Sequence, residues 1–378
     1  MMTPLPFLYT LRNLTREPLR TLQIVLGALG VVFPIMLALA FDAGMSKMLS
    51  ATGDPQNIIV LSRDSTESLQ RSSIPGESQG EVAAQSGITA TSPEVHLMAL
   101  LSTQSGERGR IYLRGVLPGA LTVHSKVQLT AGRFPRAGEV MVGTLAHHAL
   151  HLPPSALRPG ESVTIGGQQF TISGIFAAPG ARYESEIWCE KNDALALTNR
   201  DRLSCVVARA NDTGARRLEN LAFRRSDLEL SALPEPKYYE ALSAFFRPIA
   251  AITWLCALLI AAGAVFGGFN TLYAAFGART KELATLRAIG FSRTAIFLSL
   301  ITESLLTCLT GTLLACILAV FVVEGYTVSL SAGTITLHFG MLTLPVGIAA
   351  GTLLGCLGAA LPALQCLRIP LPSALRSI

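Results

Sequence analysis

Two short motifs in this 378-residue chain contain residue types that could catalyse a reaction. Gly76-Glu-Ser78-Gln-Gly80 has the spacing of a nucleophile elbow, but such an elbow needs a hydrophobic strand before the serine, and residues 69–75 are polar. His147, His148 and His151 include two imidazoles at the spacing of a zinc pair on one helical face, yet no third ligand or glutamate base is adjacent in sequence. A surface cluster of histidines is the favoured interpretation, and neither motif predicts an enzyme.

A nucleotide-binding loop of the Gly-x-x-x-x-Gly-Lys-Ser/Thr type is missing from the sequence, because none of the five lysines follows a glycine. That loop holds phosphates with its backbone N–H groups and its lysine. Any ATP-driven step therefore needs a separate polypeptide. We also expect no metal or cofactor in this chain.

Glu303 is an acidic residue eight positions into a long apolar stretch. A carboxylate in hydrocarbon is costly and is usually functional or paired. One interpretation is a proton or substrate relay. The favoured one is structural, either pairing with a loop arginine or capping a neighbouring helix, because Glu303 lies within about two helical turns of the end of the stretch.

The segment 277–294 combines charge with a narrow apolar stripe, as expected for a short amphipathic helix ending near a glycine. Such a helix can dock in a groove of a partner protein, and the alternative is a solvated basic loop. The residues that would take part are Arg279, Lys281, Glu282, Leu283, Leu286, Arg287, Gly290 and Arg293.

The composition indicates a membrane protein. Half of the residues are hydrophobic, only 15% are charged and the mean hydropathy is +0.46, which is too apolar for a pair of soluble domains. Four stretches reach the length of about 20 apolar residues that a bilayer requires: 21–41, 249–276, 295–323 and 342–367. A cleaved signal peptide is the alternative for the first, but its run exceeds the usual length of about 7 to 15 residues.

Basic residues predict the orientation of these spans. Nine Lys and Arg lie outside 42–248, and all flank the same side of four alternating spans, while 324–341 contains none. By the positive-inside bias, segments 1–20, 277–294 and 368–378 are cytoplasmic, and 42–248 and 324–341 are extracytoplasmic. Within 1–20, the pattern predicts an amphipathic helix in the membrane interface. The basic and acidic residues within 42–248 are equal in number. We expect no nucleic-acid partner.

Residues 42–248 are predicted to form an α+β domain inserted between the first two spans of a four-helix membrane protein. Short apolar runs at 57–62, 111–116 and 170–175 predict strands, and Gly166-Gly167 predicts a hairpin. The polar stretch 63–80 predicts a mobile loop, and Pro234-Glu-Pro236 predicts a linker. Cys189 and Cys205 both fall in this domain, and their spacing leaves a disulfide open.

Glycines four residues apart predict helix-packing faces inside the membrane, because small residues let backbones approach closely where lipid provides no hydrophobic drive. Two spans carry them: Gly263 and Gly267 in the second, and Gly347, Gly351 and Gly355 in the fourth.

The run Arg279-Thr-Lys-Glu-Leu-Ala-Thr-Leu-Arg-Ala-Ile-Gly-Phe-Ser-Arg293, followed by Glu303-Ser and Gly311, closely resembles the FtsX-like/MacB-like permeases of ABC transporters. The resemblance extends to Arg12-Asn-Leu near the start, Leu113-Arg-Gly-Val in the inserted domain and Leu361-Pro-Ala near the end. It thus covers nearly the whole chain.

The resemblance implies that 277–294 is a coupling helix that docks on a separate ABC ATPase, which would bind ATP and Mg. It also implies a second permease chain, either a copy or a paralogue, in the inner (cytoplasmic) membrane, with both termini cytoplasmic. Membrane lipid and an extracytoplasmic adaptor are further partners that it allows. The stretch 63–80 departs from the family in its few apolar residues, which leaves the substrate open.

Two functions fit these expectations. The first is a permease subunit that moves its extracytoplasmic domain to export or extract a lipid, lipoprotein, peptide or drug-like substrate. The second is a signalling subunit that activates an extracytoplasmic cell-wall hydrolase without moving solute. Both need the same coupling parts, so the residues do not separate them.

Overall fold

The computed structural model describes residues 7–66, 68–150, 152–153, 156–330 and 333–370. They divide into two compact units. The membrane unit comes from within 1–43, 248–326 and 338–378, and the inserted domain comes from 44–247 and 327–337. His151, Arg376 and most of the C-terminal tail lie outside the described residues.

Within the described part of the chain, four helices are long and apolar enough to cross a membrane, which confirms the predicted number of spans. They are α2 (Pro18–Thr52), the Pro248–Ala278 part of α8 (Glu235–Ala278), α10 (Arg293–Val322) and α11 (Thr343–Arg368). Helix α1 (Phe7–Arg16) precedes them, and α9 (Thr280–Ile289) joins α8 to α10. The side chains of Phe7, Leu8 and Leu11, on which the apolar face of α1 depends, are outside the described set.

Helices α2 and α8 are longer than the apolar stretches that predicted them. Strand β10 (Leu230–Pro234) leads directly into α8, so the predicted linker Pro234–Pro236 is wrong. Pro236 is the second residue of α8, where the missing N–H has no cost because the first-turn N–H groups of a helix have no internal partner.

The inserted domain is built on a mixed sheet, and the predicted α+β domain between the first two spans is confirmed. Ten strands in the described residues follow the order β10-β1-β9-β2-β3-β8-β5-β7-β4, with β6 paired to β2 and β7. The β3–β8 and β5–β7 pairs are parallel. The strands besides β10 are β1 (Asn57–Ser62), β2 (Ile88–Thr103), β3 (Arg108–Val116), β4 (Gln128–Gly132), β5 (Glu139–Gly143), β6 (Ser162–Ile165), β7 (Gln168–Ala177), β8 (Glu186–Glu190) and β9 (Cys205–Ala210).

Five short helices connect these strands. They are α3 (Ser78–Ala83), α4 (Ala120–Val123), α5 (Ala146–Ala149), α6 (Lys191–Thr198) and α7 (Asp212–Arg224). The predicted hairpin is confirmed between β6 and β7, where Gly166 and Gly167 have φ of 58° and 89°, angles that glycine adopts without steric cost. The predicted short loop 324–341 contains a second hairpin, β11 (Thr327–Leu330) with β12 (Gly333–Thr336).

The stretch 63–80 is anchored at two points, contrary to the mobile loop predicted for it. Leu69 is 3% exposed and Ile74 is fully buried. The backbone of Ile74 also exchanges hydrogen bonds with Leu203 at 2.8 and 3.0 Å. Two isolated apolar residues in a polar stretch are enough to fix it, because each fills a place in the core.

The sheet encloses a group of buried charges. Arg114 donates from Nε and Nη2 to Glu186 at 2.8 and 3.0 Å, and from Nη1 to Glu94 at 2.6 Å. The Nε2 atoms of His96 and His124 lie 2.9 and 2.6 Å from Glu94 oxygens. Buried charges are tolerated only when paired, so this cluster ties β2, β3 and β8 to one another in a single register.

Candidate functional site

Helix α9 has a defined C-terminal end, and the next helix begins with a side-chain cap. Ser292 caps the following helix α10 by accepting a hydrogen bond from the N–H of Ala295 at 3.1 Å. Gly290 ends α9 in the left-handed conformation with φ 114°, and its N–H and that of Phe291 donate to the carbonyl groups of Arg287 and Leu286. Glycine fits there because it has no Cβ, which would be strained at this angle. The helix end predicted at Gly290 is confirmed.

The two sides of α9 face different surroundings. Leu283 is 4% exposed and packs with Phe276, Ile296 and Leu300 of the membrane unit, and Leu286 packs on the same cluster. The opposite side carries Lys281, Thr285 and Ile289 in exposed positions at i, i+4 and i+8, and Ile289 is 72% exposed. Leu283 and Leu286 therefore hold α9 on its own bundle, and Lys281, Thr285 and Ile289 form its free face.

A polar cluster connects α9 to three other helices of the membrane unit. Arg279 donates from Nη1 to Glu303 at 3.2 Å and from Nε to Glu282 at 3.1 Å. Arg20 on α2 donates to Glu303 at 2.5 Å. Tyr9 on α1 donates its hydroxyl hydrogen to Glu282 at 2.8 Å and accepts from Arg279 Nη2 at 3.0 Å. The pairing of Glu303 with a loop arginine is the structural role favoured from the sequence.

Contacts within the cluster shift the pKa values of Arg279, Glu282 and Tyr9. Burial alone would lower the pKa of Arg279, but the nearby Glu303 and Glu282 carboxylates outweigh it and raise that pKa above its ordinary value. Burial opposes ionisation of Glu282, yet hydrogen bonds from Tyr9 and Arg279 lower its pKa. Burial and the bond to Glu282 raise the pKa of Tyr9. Near neutral pH, Tyr9 is thus a neutral donor between two charged groups.

Arg287 and Arg293, the remaining arginines of segment 277–294, lie outside the polar cluster. Arg287 donates from Nη1 to the carbonyl oxygens of Leu367 and Ile369 at 3.4 and 3.2 Å, which satisfies groups left free at the end of α11. Arg293 is exposed at the first residue of α10. Sequence reasoning missed Tyr9 and Arg20 as partners of this site, since nothing in their spacing points to residues about 270 positions away.

The glycines of the two predicted faces behave differently. A Cβ on Gly347 would meet Met36 at 3.3 Å, one on Gly355 would meet Leu305 at 3.1 Å, and one on Gly351 would collide with Thr312. Gly347, Gly351 and Gly355 thus permit close helix packing within the chain. Gly263 and Gly267 have no atom of the described chain within 4 Å of such a Cβ, so their face of α8 is open.

The weak enzyme motifs do not assemble a site in the described residues. Ser78 starts the six-residue helix α3, and the nearest preceding strand, β1, ends 16 residues earlier at Ser62. His147 Nδ1 lies 2.9 Å from the carbonyl of Thr144, and His148 contacts Thr327. Cys189 and Cys205 are both buried free thiols, on strands that are not neighbours in the sheet.

Four helices long and apolar enough to span a membrane, a mixed α/β domain between the first two and a short charged helix between the second and third describe a multi-pass membrane protein. Two family models match the chain: the MacB-like periplasmic core domain over residues 21–217 and the FtsX-like permease C-terminal domain over residues 254–371. The first alone spans more than half of the sequence. The chain belongs to the MacB/FtsX-like permease family of ABC transporters, whose members work with an ABC ATPase subunit and are not themselves ATPases.

Two of the solved structures that are similar to this chain are of periplasmic or extracellular domains. The periplasmic region of MacB from Actinobacillus actinomycetemcomitans is 12% identical, with a TM-score of 0.41 over 52% of this chain and 95% of that one. The extracellular domain of the noncanonic ABC-type transporter YknZ from Gram-positive bacteria is 16% identical, with a TM-score of 0.38 over 47% of this chain and 99% of that one. No curated protein matches the chain.

Proposed function

We propose that this chain is the permease subunit that converts ATP binding and hydrolysis in a separate ATPase into movement of its inserted domain. The observation that carries the proposal is α9, which is anchored on the membrane unit by Leu283 and leaves Ile289 exposed on the same side as Lys281. An exposed apolar side chain on a short helix suits a shallow apolar groove of a partner.

The polar cluster supplies a route for the force. A displacement of α9 would act on Arg279 and Glu282, and through them on α10 by way of Glu303 and on α1 by way of Tyr9. Charge-assisted hydrogen bonds are short and directional, so these helices would move with α9.

The proposal places α9 and both termini in the cytoplasm and the inserted domain outside the cytoplasmic membrane, supported by the basic residues on one side of the spans. The open face of Gly263 and Gly267 would receive a second permease chain, because glycines without a partner in their own chain permit close approach by another. The cargo would be a lipid, lipoprotein, peptide or drug-like molecule taken up outside the membrane.

The test is Ile289→Asp in the full chain, produced together with its partner ABC ATPase. We expect the ATPase to be lost on purification of the membrane protein, because a carboxylate would have to be buried without a partner. The matched control is Phe223→Asp, at an 82% exposed apolar position of the inserted domain, which should retain the ATPase. Equal retention in both variants would refute docking through α9.

A further inference from the structure

Glu235 is a buried carboxylate in the inserted domain, at the start of the helix that continues into the second membrane span. It is the first residue of α8 and is 1% exposed. Its Oε1 accepts a hydrogen bond from the hydroxyl of Tyr183 at 2.7 Å, and its Oε2 accepts from Asn57 Nδ2 at 2.8 Å and from the N–H of Asp54 at 3.0 Å. A carboxylate at a helix N-terminus is also favoured by the helix dipole.

The three donors belong to different parts of the inserted domain. Asp54 lies two residues beyond the end of α2, Asn57 is the first residue of β1, and Tyr183 lies in the turn that precedes β8. One side chain therefore joins the end of the first membrane helix, the start of the second and the central sheet.

The end of α2 is held to the same turn by a second bond. The N–H of Arg182 donates to Thr52 Oγ1 at 2.8 Å, and Thr52 is the last residue of α2. The residue after α2 and the first turn of α8 also lie in direct contact, since a Cβ on Gly53 would be 3.0 Å from the Cα of Pro236. The two helix ends are thus in van der Waals contact at a glycine.

Tyr183 extends the connection into the buried charge cluster. Its ring is 1% exposed and lies under the guanidinium of Arg114, with Cζ 4.9 Å from the ring centre. Arg114 in turn holds Glu186 and Glu94 on β8 and β2. The path from Glu235 to the sheet runs through buried groups with defined geometry, which deform little under load.

We propose that Glu235 is the positioning residue that makes the outer ends of α2 and α8 move with the sheet of the inserted domain. The inference rests on the proposed function, because it concerns how motion of the membrane helices would reach that domain. Without the three bonds to Glu235, the two helix ends could shift against the sheet and the motion would be lost.

The experiment uses the full chain with its ATPase in lipid nanodiscs and measures amide hydrogen exchange with and without ATP and vanadate. In the unsubstituted chain we expect a nucleotide-dependent change in exchange in strands β2, β3 and β8. In Glu235→Ala we expect that change to disappear, while the ATPase stays bound and exchange at residues 53–57 rises about tenfold.

Two further variants separate positioning from folding. Tyr183→Phe keeps the ring and removes the hydroxyl that bonds to Glu235 and contacts the carbonyl of Thr52. Gly53→Leu removes no bond to Glu235 but forces the backbone away from Pro236. Both should reduce the nucleotide-dependent change while Trp188, which is fully buried in the domain, keeps its emission spectrum. Lys237→Gln, an exposed change on the same helical turn, should behave as the unsubstituted chain does.

An undiminished nucleotide-dependent change in Glu235→Ala would overturn the inference. Failure of the unsubstituted chain to bind the ATPase, or an inserted domain that does not respond to nucleotide in that chain, would instead overturn the proposed function, so the two failures are distinguishable.

Discussion

The hydroxyl of Tyr9 donates a hydrogen bond to Oε1 of Glu282 at 2.8 Å, although 273 positions separate the two residues. The bond fastens the N-terminal helix α1 to α9. The same hydroxyl accepts from Arg279, so Tyr9 fixes both charged residues at the start of α9. This contact makes α1 part of the candidate site rather than a separate membrane anchor.

Tyr9→Phe should loosen α9 without unfolding the chain. The change removes two hydrogen bonds to charged partners, Glu282 and Arg279, each worth about 1.5–3 kcal/mol, and keeps the ring. We expect faster amide exchange in residues 280–289 and weaker stimulation of the partner ATPase. Tyr326→Phe, at a 61% exposed ring, is the control, and equal exchange in both variants would contradict the role of Tyr9.

Glu303→Gln should destabilise the membrane unit strongly. The carboxylate is 5% exposed and neutralises Arg20 and Arg279, which are each 11% exposed. Removing one partner of a buried ion pair costs about 3–5 kcal/mol of unfolding free energy, because the remaining charge loses its compensation. Chemical denaturation in detergent measures this difference.

Glu17→Gln is the matched control for Glu303. Its carboxylate also pairs with Arg20, at 3.0 Å, but it is 48% exposed, and exposed pairs contribute only about 0–1 kcal/mol. Similar losses of unfolding free energy in Glu303→Gln and Glu17→Gln would mean that Glu303 is not the group that neutralises Arg20. A relay role would show instead as lost transport with unchanged stability.

How far the sequence predicts this molecule depends on whether a feature is local. The spans, the hairpin at Gly166-Gly167 and the end of α9 at Gly290 follow from periodicity, hydropathy and backbone angles, and all were predictable. The partners Tyr9, Arg20 and Glu235 were not, because they meet only after the chain has folded. The buried charge cluster has one indication in the sequence. Arg114 is a charged residue within an apolar strand pattern, and a buried charge must be paired.

Gly351→Ala should weaken the packing of α11 on α10. The new methyl group would collide with Thr312, and overpacking of this kind costs about 1–3 kcal/mol. Gly263→Ala is the control at an open position, where alanine should be neutral or stabilise the helix by about 0.5–1 kcal/mol. The opposite order of stability would show that the packing faces are wrongly assigned.

Gly263→Leu tests the proposed second chain separately. Leucine on the open face would keep two copies of α8 apart, so chemical crosslinking between permease chains should fall while the unfolding free energy stays unchanged. Gly30→Leu, on α2 and also without an atom of its own described chain within 4 Å of the added Cβ, is the control. Equal crosslinking in the unsubstituted chain, Gly263→Leu and Gly30→Leu would show that the second chain does not pair through this face of α8.

The inserted domain should lose stability in mild acid through His96. Burial, with the charge of Arg114, lowers the pKa of His96 to about 4, against about 6.5 in an unfolded chain. Between these values the unfolded state binds the proton and the folded state does not, so stability falls as pH falls. Arg114 and His124 hold the pKa of Glu94 well below its usual value in spite of burial, which adds to the loss below about pH 4.5.

At pH 5 the contribution of His96 amounts to a loss of about 2 kcal/mol relative to pH 7.5. Urea unfolding followed by Trp188 emission measures it, in a Trp254→Phe background that removes the only other tryptophan of the chain. His96→Gln should lower stability at pH 7.5 but flatten its dependence on pH, because the group that gains a proton on unfolding is gone. His338→Gln, in the membrane unit, should leave the dependence unchanged. A slope that survives in His96→Gln would assign the acid sensitivity to another group of the cluster.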